Sequence, residues 1–210
     1  MKIFLGITGA SGCVIGLRLA EVLKSLGHEI YVSISDEALT VAEYECISRH
    51  WFSEKLKSLS IAVYREGDIG ADIGSSSNAL DSYVIAPASI KTMAMVVNGI
   101  AENLIVRAAL IGLRMRKPVV AVVREAPLGI VELSILLKAA RLGIHVIPAV
   151  IGFYTYPQTI KDVVDFIVGK VLDVLGIEHD LYRRWKGSRA PLYPDPCEVL
   201  YGSASSSDSP

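Results

Sequence analysis

Some residues of this chain stand where their chemistry demands an explanation. In LIVRAALIGLRMRK, residues 104–117, Arg107 is the only charge among nine apolar or small residues, and Arg114 follows seven positions later. That spacing puts both guanidinium groups on nearly one helix face. A guanidinium buried among apolar neighbours must meet an anion. The pair therefore suits a phosphate, and equally a structural ion pair with Asp or Glu of this or another subunit. In VVREAPL, 122–128, Arg124 and Glu125 end an apolar run. The carboxyl end of a buried strand is where an α/β sheet places its chemistry; a solvated turn is the alternative. Lys170 flanks an apolar helical stripe beside Val163. Taken alone, it reads as a snorkelling lysine.

Loops rich in glycine and hydroxyls form a second group. GITGASG, 6–12, joins an apolar run to a helical pattern. No Lys follows Gly12, so it is not a P-loop, and Thr8 breaks the GxGxxG spacing of dinucleotide sites. TGASGCVIG is one residue longer than the TGxxGxxG turn of some NADP reductases. The YxxxK pair those enzymes need is met by Tyr182 and Lys186, in a polar segment where the match reads as chance. What remains is a helix N-terminus with unsatisfied N–H groups and a free hydroxyl at Ser11, or a plain tight turn that binds nothing. SSSN (75–78) and PASIKT (87–92) are further hydroxyl-rich loops. Ser89 is placed to cap the next helix, and capping uses the same geometry as phosphate binding. FYTYP (153–157) and Trp185 add aromatic faces.

Elements must hold these residues in place. KIFLGIT (2–8), 28–35, SYVIAPAS (82–89), PVVAVV (118–123) and HVIPAV (145–150) read as strands. Helical patterns fill 13–26, 36–47 with Asp36 as N-cap, and 159–175, where Ile160, Val163, Val164, Ile167, Val171, Val174 and Leu175 keep the 3.6 period. Apolar strands without alternation, separated by helices, predict an α/β fold: a doubly wound parallel sheet covered on both faces. Ligands then bind at the carboxyl ends of the strands.

The 210 residues fit a single domain, expected over 1–190, followed by a polar tail at 191–210 that reads as disordered. Apolar residues make up 51% against 20% charged, which leaves apolar surface for partner subunits. A net charge of −1 argues against a nucleic-acid partner. Cys13, Cys46 and Cys197 show no CxxC spacing, so neither a disulfide framework nor a zinc site is indicated. No apolar run is long enough for a membrane span, and KIFLGI is too short for a signal peptide, so a cytoplasmic protein is expected.

Taken in order, GITGASG, SIS before a helix, GSSS, APASIKT, NLIVRAA, VVREAPL, the FYTYPQTI–DVVDFIVGKVLDVLGI block and RRWKG resemble the flavin prenyltransferases of the UbiX type over residues 1–187. These sit in a flavin-binding superfamily with cysteine decarboxylases. The resemblance implies a Rossmann-like, flavodoxin-type fold assembled as trimers and then a dodecamer. It implies reduced FMN, prenylated at N5 and C6 by dimethylallyl phosphate, with the product serving UbiD-type decarboxylases. It places Gly9, Ala10, Ser11, Ser35, Ser89, Thr92 and Arg124 at FMN, with Ser11 near the ring rather than the phosphate. Tyr154, Lys170 and Arg114 fall at the prenyl phosphate, and Glu125, Ser11, Arg107, Trp185 and Glu45 in the active site. The family carries Arg where this chain has Lys170 and Lys where it has Arg114. Charge is kept while the fork geometry changes.

The chemistry of the residues agrees. Cleaving an allylic C–O bond requires a neutralised leaving phosphate and a shielded allyl cation. The chain has no DD pair for magnesium. A monophosphate held by Arg, Lys and Tyr needs no metal, and aromatic faces stabilise the cation. Glu125 is a candidate proton relay. The nearest rival is an FMN-dependent cysteine decarboxylase, which carries PASANT and a His after the second strand; here no His follows SIS until His50. A non-catalytic flavin carrier would have no use for Arg107, Tyr154 and Lys170. An NADP reductase rests only on the mis-spaced turn.

Overall fold

A computed structural model describes residues 1–45, 47–185, 187, 200 and 202. Most of the expected tail, together with Cys46 and Lys186, lies outside the described residues. The chain runs β1 (Lys2–Ile7), α1 (Cys13–Ser25), β2 (Glu29–Ile34), α2 (Asp36–Tyr44), α3 (Arg49–Ser58), β3 (Ala62–Arg65), β4 (Ser82–Ala88), α4 (Ile90–Asn98), α5 (Leu104–Arg114), β5 (Val119–Val123), α6 (Ile130–Arg141), β6 (Ile144–Pro148) and α7 (Ile160–Leu175). Every strand pair is parallel, in the order β3-β2-β1-β4-β5-β6. The order reverses between β1 and β4, which opens a crevice at their carboxyl ends.

The sheet is buried on both faces, which is why its central strands show no alternation of polarity. Ile3, Leu5 and Ile7 pack with α1, α2, α3 and α7 on one face; Phe4 packs with α4, α5 and α6 on the other. Periodicity placed α7 within a residue of its start, where Thr159 accepts the Asp162 N–H and Asp162 returns a bond to the Thr159 N–H. Asp36 is not the N-cap of α2. Ser35 is, accepting from Ala38 N at 3.1 Å, because Asp36 already has helical backbone. The last strand ends at Pro148, two residues short of the expected 150.

One buried charge joins the first and last helices. Asp165 on α7, 4% exposed at its side chain, accepts from Arg18 Nε at 2.6 Å and Nη2 at 3.1 Å, and from Lys161 Nζ at 2.5 Å. Burial raises its carboxyl, but the Arg18 and Lys161 bonds outweigh burial and hold it below the usual range. Arg18→Ala should therefore lower the unfolding free energy by about 2–3 kcal/mol. Lys161→Ala, which removes an exposed partner, should cost under about 1 kcal/mol. Urea unfolding of the two variants tests this ordering. Among the described residues, no helix is long and apolar enough to cross a membrane.

Candidate active site

The predicted residues gather in three places. The first is the crevice beyond β1, β2 and β4, lined by Gly9, Ser35, Glu37, Ser89, Lys91 and Thr92. Thr8 ties its walls together: its hydroxyl donates to Pro87 O at 2.8 Å and accepts from Ser89 N at 2.8 Å. Ser89 caps α4 as expected, accepting from Thr92 N and lying 3.0 Å from the Thr92 hydroxyl. Gly9 is required by closeness, since a Cβ there would lie 2.5 Å from Glu37 Cβ. Lys91 bridges to Glu37 at 2.9 Å across the mouth. Arg124 follows the end of β5, and its buried Nε has no hydrogen-bond partner among the described residues. Glu125 comes next, exposed, with one oxygen accepting from Ala126 N at 3.1 Å.

The helix N-terminus after GITGASG is not free for a phosphate. Gly12, at φ +99°, offers no side-chain cap. Glu45, just past α2, supplies one: its two oxygens accept from Gly12 N at 2.7 Å and Cys13 N at 3.2 Å. The anion that the helix dipole favours is thus the chain's own carboxylate. This overturns the expectation of open N–H donors and leaves Ser11 exposed at the loop tip, with Ala10 buried behind it. Burial, and then the charge of Glu45, push the neighbouring Cys13 thiol up to about 12, so it is inert as a nucleophile. Glu45→Ala should cost about 1–2 kcal/mol, as lost helix caps do; thermal unfolding would register it, and Glu45→Gln should recover part of the loss.

The second group lies on α5. Arg107 and Arg114 line one concavity with Gly74, Ser75 and Ser76, as their spacing predicted. Arg107 is not buried, however. It is exposed, and its Nε donates to the Gly74 carbonyl at 2.6 Å. The expected anion is not needed in one chain because the side chain leaves the apolar face at the helix rim. Neither arginine has an ion pair among the described residues.

The third group surrounds α7. Trp185 stands edge-on to Tyr154, Tyr154 edge-on to Phe166, and Phe166 edge-on to Tyr182, with centroids 6.1, 5.8 and 5.2 Å apart. Lys170 Nζ sits 4.6 Å from the Tyr182 ring centre and donates to its hydroxyl at 2.7 Å. Lys170 is half-buried. Burial lowers its ammonium pKa, yet the contacts with Tyr182 and Tyr154 more than compensate, so it is held charged. Tyr182 was set aside as half of a chance YxxxK match; its working partner is Lys170. Sequence reasoning also missed Asp173. Its carboxylate accepts from the Tyr182 hydroxyl, from Arg184 at 2.8 Å and from His179 at 3.1 Å. The only signal available was its i+3 place after Lys170.

Burial raises the Asp173 carboxyl, but the bonds from Tyr182, Arg184 and His179 prevail and bring it down to about 2. Its folded pKa lies below its unfolded value, so its contribution is complete above pH ~4 and fades as pH falls through ~2. The shift is worth about 2 kcal/mol. Acid unfolding of Asp173→Asn should lack that share of the pH dependence.

α5 and α7 cover opposite faces of the sheet. One chain therefore does not bring Arg107 and Arg114 to the same ligand as Tyr154 and Lys170. No group of three or more His, Cys, Asp or Glu among the described residues could hold a metal.

A doubly wound sheet with a hydroxyl-lined crevice at its switch point defines a nucleotide- or flavin-binding protein of the α/β class. Residues 1–172 match the flavoprotein family. The chain is 46% identical over 188 residues to the flavin prenyltransferase UbiX of Saccharolobus solfataricus, covering 89% of this chain and 92% of that one. Among solved structures, a UbiX protein in complex with FMN and dimethylallyl pyrophosphate superimposes with a TM-score of 0.84 at 30% identity, covering 89% of this chain and 98% of that one. A dodecameric FMN-dependent UbiX-like decarboxylase from Escherichia coli O157:H7 gives 0.83 at 34%, covering 89% and 100%. The chain belongs to the flavoprotein family and, within it, to the UbiX flavin prenyltransferases, a transferase group.

Proposed function

We propose that this protein joins the dimethylallyl group of dimethylallyl phosphate to reduced FMN: N5 bonds the allylic carbon and gives up its proton as the phosphate departs with the electron pair of the broken C–O bond, and C6 then bonds the prenyl alkene, which takes up a proton as C6 loses its own. The observation that carries the reading is a hydroxyl-lined polar crevice at the switch point of the sheet, in a chain that also holds a charged lysine against aromatic rings. The donors there suit FMN: Ser35, Ser89 and Thr92 line the cleft, and Arg124, just past β5, holds a buried Nε with no acceptor among the described residues. Held there, the flavin supplies the nucleophilic nitrogen and carbon.

The remaining work falls to the side chains. Lys170 and the Tyr154 hydroxyl neutralise the leaving phosphate. Trp185 and Tyr154 present π-faces to the allyl group and exclude water. Glu125, exposed at the end of β5, takes or returns the proton. Arg107 and Arg114 reach the phosphate from another subunit, since α5 of the same chain lies on the far face of the sheet. The assembly we propose is built of trimers and dodecameric, and the E. coli relative is itself dodecameric. Its need shows on α6, where Ile130 is 80% and Val131 61% exposed beside Leu133 and Leu137. We place the reaction in the cytoplasm and the product with a UbiD-type decarboxylase.

The test is anaerobic incubation with reduced FMN and the prenyl donor, followed by the mass of the released flavin. One added C5 unit is expected; its absence with FMN bound would sink the reading. A diphosphate donor is the second reading, favoured by the pyrophosphate in the related complex. Running both donors side by side decides between them, and light scattering that returned a monomer would remove the shared site.

A further inference from the structure

Asp173 takes part in no step above, yet among the described residues around it, it gathers the most hydrogen-bond and ion-pair partners. One oxygen, Oδ1, accepts from Arg184 Nη2 and from His179 Nε2. The other, Oδ2, accepts from the Tyr182 hydroxyl and lies 3.5 Å from Lys170 Nζ. Leu181 N donates to His179 Nδ1 at 3.2 Å, so that nitrogen accepts and the ring proton sits on Nε2, facing the carboxylate. The fit is built into the backbone. A Cβ at Gly169 would stand 2.5 Å from Tyr182 Cδ1 and 2.8 Å from His179 Cε1, so only glycine lets both rings lie against α7.

A hydroxyl has one proton. Given to Asp173, it leaves the oxygen lone pairs of Tyr182 turned to Lys170 Nζ. We propose that Asp173 is a positioning residue for the phosphate-binding lysine: it fixes the polarity of the Tyr182 hydroxyl, which aims Lys170, and it anchors residues 177–185, which carry Trp185 against Tyr154. The inference rests on the reading of Lys170 as the prenyl-phosphate binder. Asparagine at 173 keeps the volume and can keep an oxygen toward Arg184 and His179. Its amide then faces the Tyr182 hydroxyl as a donor. The hydroxyl must reverse and point its own proton at an ammonium.

Calorimetry on protein loaded with oxidised FMN, where no turnover runs, measures dimethylallyl phosphate binding directly. Asp173→Asn should weaken it about 10-fold, with flavin content unchanged. Tyr182→Phe leaves the Asp173–His179–Arg184 contacts in place and should weaken it to a similar extent. The double variant should be no worse than either single one, because both act on one relay. Unchanged affinity in either folded single variant, or effects that multiply, would overturn the proposal. Should Asp173→Asn not fold, Tyr182→Phe decides alone. A wild-type chain that turns over beside unaffected variants defeats only this inference. A wild-type chain that binds donor without prenylating FMN defeats only the reaction. One that binds no donor defeats both.

Discussion

Lys170→Ala is expected to retain FMN and to lose turnover by about 10²–10³-fold, the loss of one charge-assisted contact to a departing anion. The lysine is half-buried, bonded to Tyr182 and 4.6 Å from its ring centre, while the nearby Arg184 is engaged by Asp173. On the proposed reading FMN is held elsewhere, at the ends of β1, β2, β4 and β5, which predicts the separation of binding from catalysis. Lys170→Arg should keep much of the activity, because the charge stays and a fork replaces a point donor. Glu125→Gln should show the same dissociation of flavin content from rate, by about 10²-fold, as general acid–base groups do. Lys161→Ala, on the same helix but outside the site, is the control. Flavin fluorescence gives occupancy and single-turnover mass analysis gives rate. Full activity in Lys170→Ala and Glu125→Gln together would overturn the assignment of the site.

The second large effect is structural. Gly16→Ala is expected to destabilise the fold by about 3 kcal/mol. In an exposed helix the same change stabilises by about 1 kcal/mol, so the sign itself is diagnostic. Gly16 lies where α1 crosses β4. An added Cβ would land on the Ala86 carbonyl oxygen, well inside contact distance, and 3.0 Å from Ile7 Cγ1. Backbone cannot yield as a side chain can, so α1 must lift away from the sheet. The lift would carry Ser11 from the loop that Thr8 ties to Pro87 and Ser89. Flavin retention should fall along with the urea midpoint. A variant as stable as wild type would show that the helix seats less closely than described.

The parallel core was legible because its strands are apolar on both faces, and α7 because its apolar residues keep the helical period over four turns. β3 escaped notice: AVYR is a short, mostly exposed edge strand without an apolar run. α6 is apolar, but Ile130, Val131 and Leu137 point outward, so its pattern does not follow the core of one chain. The loops of the candidate site could be read from their glycines and hydroxyls. Their occupants could not. Glu45 caps α1 from more than thirty residues away, and no local spacing announces that. Arg107 was read as buried from its neighbours in sequence, whereas its length carries the charge past them to the rim. Asp173 and Tyr182 act as a pair only because Gly169 clears the space between α7 and the segment that follows.

In the proposed assembly, the outward apolar face of α6 would make protein concentration a thermodynamic variable. Covering that face would link folding to association by mass action, so the melting temperature should rise with total chain. Dilution would then work as a denaturant that acts on the proposed shared site before it acts on the sheet. Activity lost on dilution should return on reconcentration while the flavin-binding crevice within each chain persists.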